Sequence, residues 1–80
     1  MKAVLETITP KKAAEMLTLN TKNRPCSMRW AEQLAEAIRR GEWKLNGDTI
    51  KLNGTVLVDG QHRLHAIVKA GLSVQSYVIR

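Results

Sequence analysis

At the start of the chain, Ala3-Val-Leu-Glu-Thr-Ile8 is β-branched and partly alternating, with Val4 and Ile8 on one side and Leu5 on the other, so the pattern predicts a strand. Thr9-Pro10 breaks it, because threonine can cap a helix and proline suits its first position, where a missing N–H costs nothing. Ala13, Ala14, Met16 and Leu17 then recur at helical spacing, which predicts a helix from Pro10 to about Leu19 with Lys11, Lys12 and Glu15 outward. Residues 20–26, Asn-Thr-Lys-Asn-Arg-Pro-Cys, have no period and read as a loop. Ser27 is placed to cap the longest helix, Met28 to Arg40, with Trp30, Leu34, Ala37 and Ile38 as its apolar stripe and Gly41 as its end. Glu36 and Arg40 are spaced to pair on its surface.

The period then shortens. Asp48-Thr-Ile-Lys-Leu52, Asn53-Gly54 and Thr55-Val-Leu-Val58 read as a β-hairpin, with Asn-Gly supplying the two positive φ angles of a type I′ turn. Val56, Leu57 and Val58 form a short apolar run expected to be buried on both faces. Asp59-Gly60 opens a third helix, Gln61 to Ala70, which Gly71 stops, and Ser73 to Ile79 reads as the last strand. The predicted order is β-α-α-β-β-α-β: a single small α/β (α+β) domain over residues 1–80, with a mixed sheet and about three helices.

Composition bounds this picture. A chain of 80 residues has one small core, and 44% hydrophobic with 25% charged residues is globular rather than disordered composition. No apolar stretch approaches the roughly 20 residues that span a bilayer. Met1-Lys2-Ala3-Val4-Leu5-Glu6 turns to charge too early for a secretory signal, so the expected location is cytoplasmic, with no membrane partner. The one cysteine, Cys26, forms no intramolecular disulfide, and it has no placed base to make it a nucleophile. The net charge of +6 favours polyanions, although solubility alone accounts for such a charge as well. Both ends are basic: residues 1–30 carry six basic and two acidic side chains, and residues 49–80 four and one.

The chemistry concentrates in Val58-Asp-Gly-Gln-His-Arg-Leu64. A strand that turns through Asp59-Gly60 straight into a helix presents the orphan N–H groups and the positive dipole end of that helix, which attract phosphate. Gly60 lets a ligand approach the backbone, and Arg63 offers a planar fork for phosphate oxygens. Leu64, Ile67 and Val68 define the buried face, with His62, His65 and Lys69 opposite and Arg63 at the stripe's edge, either snorkelling or aimed at a ligand. Asp59 reads as an ordinary N-cap. His62 and His65 lack a third ligand nearby, so they read as a surface pair and no metal site is assigned; His62 can still bond a phosphate. Lys22, Asn23 and Arg24 in the loop suit nucleic-acid phosphates or serve as a polar connector. Trp30 belongs to the core stripe, and Trp43 is read as core rather than as a stacking platform.

Leu57-Val-Asp-Gly-Gln-His-Arg-Leu-His-Ala66 resembles the signature box of the ParB/sulfiredoxin-like superfamily, above all the small phage and bacterial "DGQHR" proteins. Ile8-Thr-Pro10, Asn23-Arg-Pro25 and Arg39-Arg-Gly-Glu-Trp43 extend the resemblance along nearly the whole chain. It implies a ParB/sulfiredoxin-like fold and ATP or CTP with Mg2+ as ligand, with the phosphates on Gly60, Gln61, His62 and Arg63. Gln61 stands where sulfiredoxins place their catalytic cysteine, which excludes that activity. Gln61-His62-Arg63 keeps only the final arginine of the Glu-Arg-Arg type box of partitioning ParB proteins, and the chain carries no counterpart of their downstream helix-turn-helix and dimerisation regions, so a CTP-gated DNA clamp is not expected.

Three functions follow as expectations. The first is a phage or mobile-element accessory module binding nucleotide or DNA phosphate. The second is a nuclease or nucleotide hydrolase in which Asp59 or His62 activates water. The third is a viral accessory protein that binds an acidic host protein and uses the fold only as a scaffold.

Overall fold

A computed structural model describes residues 3–19, 28–43, 49–54 and 56–80. The elements are β1 (Ala3–Ile8), α1 (Pro10–Leu17), α2 (Met28–Arg39), β2 (Thr49–Asn53), β3 (Val56–Asp59), α3 (Gln61–Ala70) and β4 (Val74–Ile79), in the predicted order. The strands form one mixed sheet ordered β1-β4-β2-β3. β1 pairs antiparallel to β4, β2 antiparallel to β3, and β2 parallel to β4. The described chain is thus a small α/β unit of three helices and a four-stranded mixed sheet.

One face of the sheet is buried. Ile8, Ile50, Leu52, Leu57, Ser76 and Val78 are enclosed, while their neighbours Thr7, Lys51, Asn53, Val58 and Gln75 are exposed. Ala13 and Met16 of α1, Ala35 and Ile38 of α2, and Leu64, Ala66 and Ile67 of α3 complete the core. α3 packs against both α1 and α2. Thr9 caps α1 as expected, its hydroxyl accepting the Lys12 N–H at 3.0 Å.

Several details differ from the sequence reading. On α2 the buried positions are Ala31, Ala35 and Ile38, and Trp30 is 50% exposed, because the small Ala31 and Ala35, at i and i+4 ahead of Ile38 at i+7, let the helix approach its neighbours on a face one position round from Trp30 and Leu34. Ala14 and Val68 are exposed and Ala66 is buried, since α3 buries a wide arc between two helices. Glu36 pairs with Arg39, and Arg40 instead meets Glu42 at 2.9 Å. Only one face of the sheet is covered, so of the apolar run of β3 only Leu57, on that face, is fully enclosed. Asn53 is a strand residue opposite Val56 without positive φ, so the turn begins at Gly54 (φ +62°) and the type I′ placement on Asn53-Gly54 does not hold. Ser27 as a cap, the loop at 20–26, Asp48 and Thr55 lie outside the described residues.

An ion cluster joins the ends of the described chain. Glu6 on β1 accepts from Lys12 of α1 at 2.7 Å and from Arg80 beyond β4. The Arg80 hydrogen bond, aided by Lys12 and opposed by burial, holds the Glu6 carboxyl down to about 2 from an ordinary 4.5. A depressed folded-state pKa gives stability that is present above pH 4.5 and is lost as pH falls towards 2. Both cations are substantially exposed, so solvent screening limits the gain to about 1 kcal/mol. Glu6→Gln is therefore expected to flatten the fall in the urea midpoint between pH 6 and pH 3; an acid limb identical to wild type would contradict the assignment.

Candidate functional site

The site begins with an irregularity in the hairpin. Lys51 lies opposite Asp59 but Leu52 lies opposite Leu57, so Val58 is an additional residue on β3, a bulge that bends an edge strand and re-aims the residues after it. Asp59 is consequently still a strand residue, and its Oδ1 accepts the Gly60 N–H at 2.9 Å. Gly60, in the left-handed region at φ +100°, is the N-cap of α3, and its carbonyl accepts the first helical bond from the Leu64 N–H at 3.1 Å. The expectation that Asp59 caps α3 is corrected: the bulge holds Asp59 in the ladder, and the cap residue has no side chain to cover the first turn. A Cβ on Gly60 would stand 3.0 Å from both Cα and Cγ1 of Ile50. The fold itself therefore demands glycine here, through φ and through closeness to β2, before any ligand is considered.

A cleft of 190 Å³ opens at this helix start, lined by Trp30, Thr49, Asp59, Gly60, His62 and Arg63. Of the predicted residues, Asp59, Gly60, His62 and Arg63 are brought together, while Gln61 is half-buried and its side chain is not in the lining. Thr49 carries no sequence signal, being an ordinary β-branched strand residue. Trp30 is legible as an apolar residue, but the bulky stripe assigns it to the core; the regular Ala31, Ala35, Ile38 spacing is the signal for its true position.

Arg63 sits over the Trp43 ring, its guanidinium carbon 4.6 Å from the centroid. Trp43 is held in turn by its indole N–H, which donates to the Gln75 carbonyl at 3.0 Å, and by packing against the core. A charged residue on the buried side of α3 is thus partly accounted for by an aromatic partner, an interaction of about 0.5–2 kcal/mol.

His65, one turn on from His62, is held below the usual histidine range by burial first and then by its neighbours His62 and Lys69. The polar face of His62, His65 and Lys69 is tied to α2 by Lys69–Glu32 at 3.6 Å and by Arg39, which donates to the Lys69 carbonyl at 3.0 Å. Among the described residues no three His, Cys, Asp or Glu side chains gather as a metal site.

No family model, curated protein or solved structure matches the chain. No helix among the described residues is long and apolar enough to cross a membrane. Lys22, Asn23 and Arg24 lie outside the described residues, so the second basic wall expected from the loop has no structural account.

Proposed function

We propose that the cleft at the start of α3 binds phosphate carried by a nucleotide or a nucleic acid, in a chain of ParB/sulfiredoxin-like kinship. One observation carries the reading: His62 and Arg63 line a small cleft together with Gly60, the N-cap of a ten-residue helix, which has no side chain to cover the helix start. The net charge of +6 adds long-range attraction for the same ligands. ATP or CTP fits this donor set, with Gly60, His62 and Arg63 towards the phosphates. Mg2+ usually binds through one or two carboxylates together with substrate phosphates, and Asp59 is the carboxylate in the lining to which it would turn. A hydrolytic role for Asp59 or His62 is less well supported, because Asp59 Oδ1 already secures the turn through the Gly60 N–H.

Hydrogen bonds to charged groups contribute roughly 1.5–3 kcal/mol, so Arg63→Ala is expected to weaken ATP, CTP or short-DNA binding about 10- to 100-fold. Calorimetric titration of wild type and variant at low salt checks this, with circular dichroism confirming that both are folded. Absence of binding to all three ligands, or equal affinities in the two proteins, would sink the proposal.

A further inference from the structure

We infer that Trp30 is a stacking platform for the base of the bound ligand, so that the cleft recognises a nucleotide unit rather than bare phosphate. This inference rests on the proposed phosphate site. α2 completes its buried face with Ala31, Ala35 and Ile38, and Trp30, at the start of the same helix, is left 50% exposed. The core therefore does not enclose this indole. Trp30 instead contributes to the wall of the cleft that also holds Thr49, Gly60, His62 and Arg63, so an aromatic surface and phosphate-type donors share one opening. That pairing of a π-surface with a positive groove is how base and backbone of a nucleotide unit are held at once.

The other tryptophan does not compete for this role. The ring of Trp43 carries Arg63 and its N–H is bonded to Gln75, which makes it a support for the phosphate-binding arginine. Size narrows the ligand further. At 190 Å³ the cleft is below the roughly 300–1,000 Å³ that encloses a drug-sized ligand, so it grips one nucleotide unit and leaves the remainder in solvent. A free nucleotide and the end of a single strand share this chemistry.

Base–aromatic stacking contributes about 1–3 kcal/mol per base, or roughly 5- to 150-fold in affinity. Adenosine 5′-monophosphate, ribose 5-phosphate and a 5′-phosphorylated oligodeoxyadenylate are titrated into wild type, Trp30→Ala and Trp30→Tyr. Wild type is expected to prefer adenosine monophosphate over ribose 5-phosphate by that factor. Trp30→Ala lowers adenosine monophosphate affinity more than ribose 5-phosphate affinity and so abolishes the preference, and Trp30→Tyr restores most of it. The oligonucleotide must also weaken with Trp30→Ala, and whichever base-bearing ligand binds tighter identifies the source. Equal wild-type affinity for the nucleotide and the sugar phosphate, or an equal loss of both in Trp30→Ala, overturns the platform while the phosphate site stands. No binding of any of the three overturns both.

Discussion

Gly60→Ala is expected to cost roughly 3–5 kcal/mol of folding stability, the strain of a non-glycine residue at positive φ added to an overpacked interior. The backbone there has φ +100°, and the new methyl would meet Ile50 at 3.0 Å, with the Ile50 Cα among the atoms touched. Main-chain atoms of a paired central strand cannot step aside as the end of a flexible side chain can. Ile50→Ala in the same protein should therefore rescue little: it removes the clash with Cγ1 but leaves the clash with the main chain of residue 50 and the φ strain. For a chain of this length total stability is about 4–12 kcal/mol, so the variant is expected to be largely unfolded at modest denaturant. Urea midpoints of Gly60→Ala, Ile50→Ala and the double variant decide the matter. A Gly60→Ala midpoint close to wild type would show that the turn is not held as described.

Leu64→Ala is the second large effect. Leu64 is fully enclosed on α3, and loss of a buried leucine side chain costs about 2–5 kcal/mol, depending on how far the site collapses. Its neighbour Arg63 offers the opposite separation. Arg63→Ala gives up the stack on Trp43, about 0.5–2 kcal/mol, yet removes the principal cation of the cleft. Denaturation curves should thus move far for Leu64→Ala and little for Arg63→Ala, whereas ligand titrations of folded protein should reverse that order. Equal destabilisation by both would mean that Arg63 is chiefly a packing residue.

The order of elements was legible because each boundary has strong local chemistry: Thr9-Pro10 at a helix start, Gly41 and Gly71 past helix ends, Gly60 between strand and helix. Facing was less legible. α2 carries one stripe through Trp30, Leu34 and Ile38 and another through Ala31, Ala35 and Ile38, and only packing against the partner helix selects between them; burial of the second is what leaves Trp30 to the cleft. The bulge at Val58 has no local signature, since it depends on how Lys51 and Leu52 pair across the hairpin, and with it goes the shift of the N-cap from Asp59 to Gly60. Long-range partners were invisible for the same reason. Trp43 and Arg63 are twenty residues apart in sequence, and they meet because α3 packs against α2, beyond whose end Trp43 lies. The cluster of Asp59, Gly60, His62 and Arg63 was legible because four of those five consecutive positions share one turn, whereas Thr49 enters only through sheet pairing.

Whether the start of α3 is a phosphate site is tested most directly by the backbone amide shifts of isotope-labelled protein titrated with ATP. The largest saturable changes are expected on Gly60, Gln61, His62 and Arg63, accompanied by the Trp30 indole N–H. Saturable changes centred elsewhere, or none at millimolar nucleotide in low salt, would contradict a phosphate site at this turn.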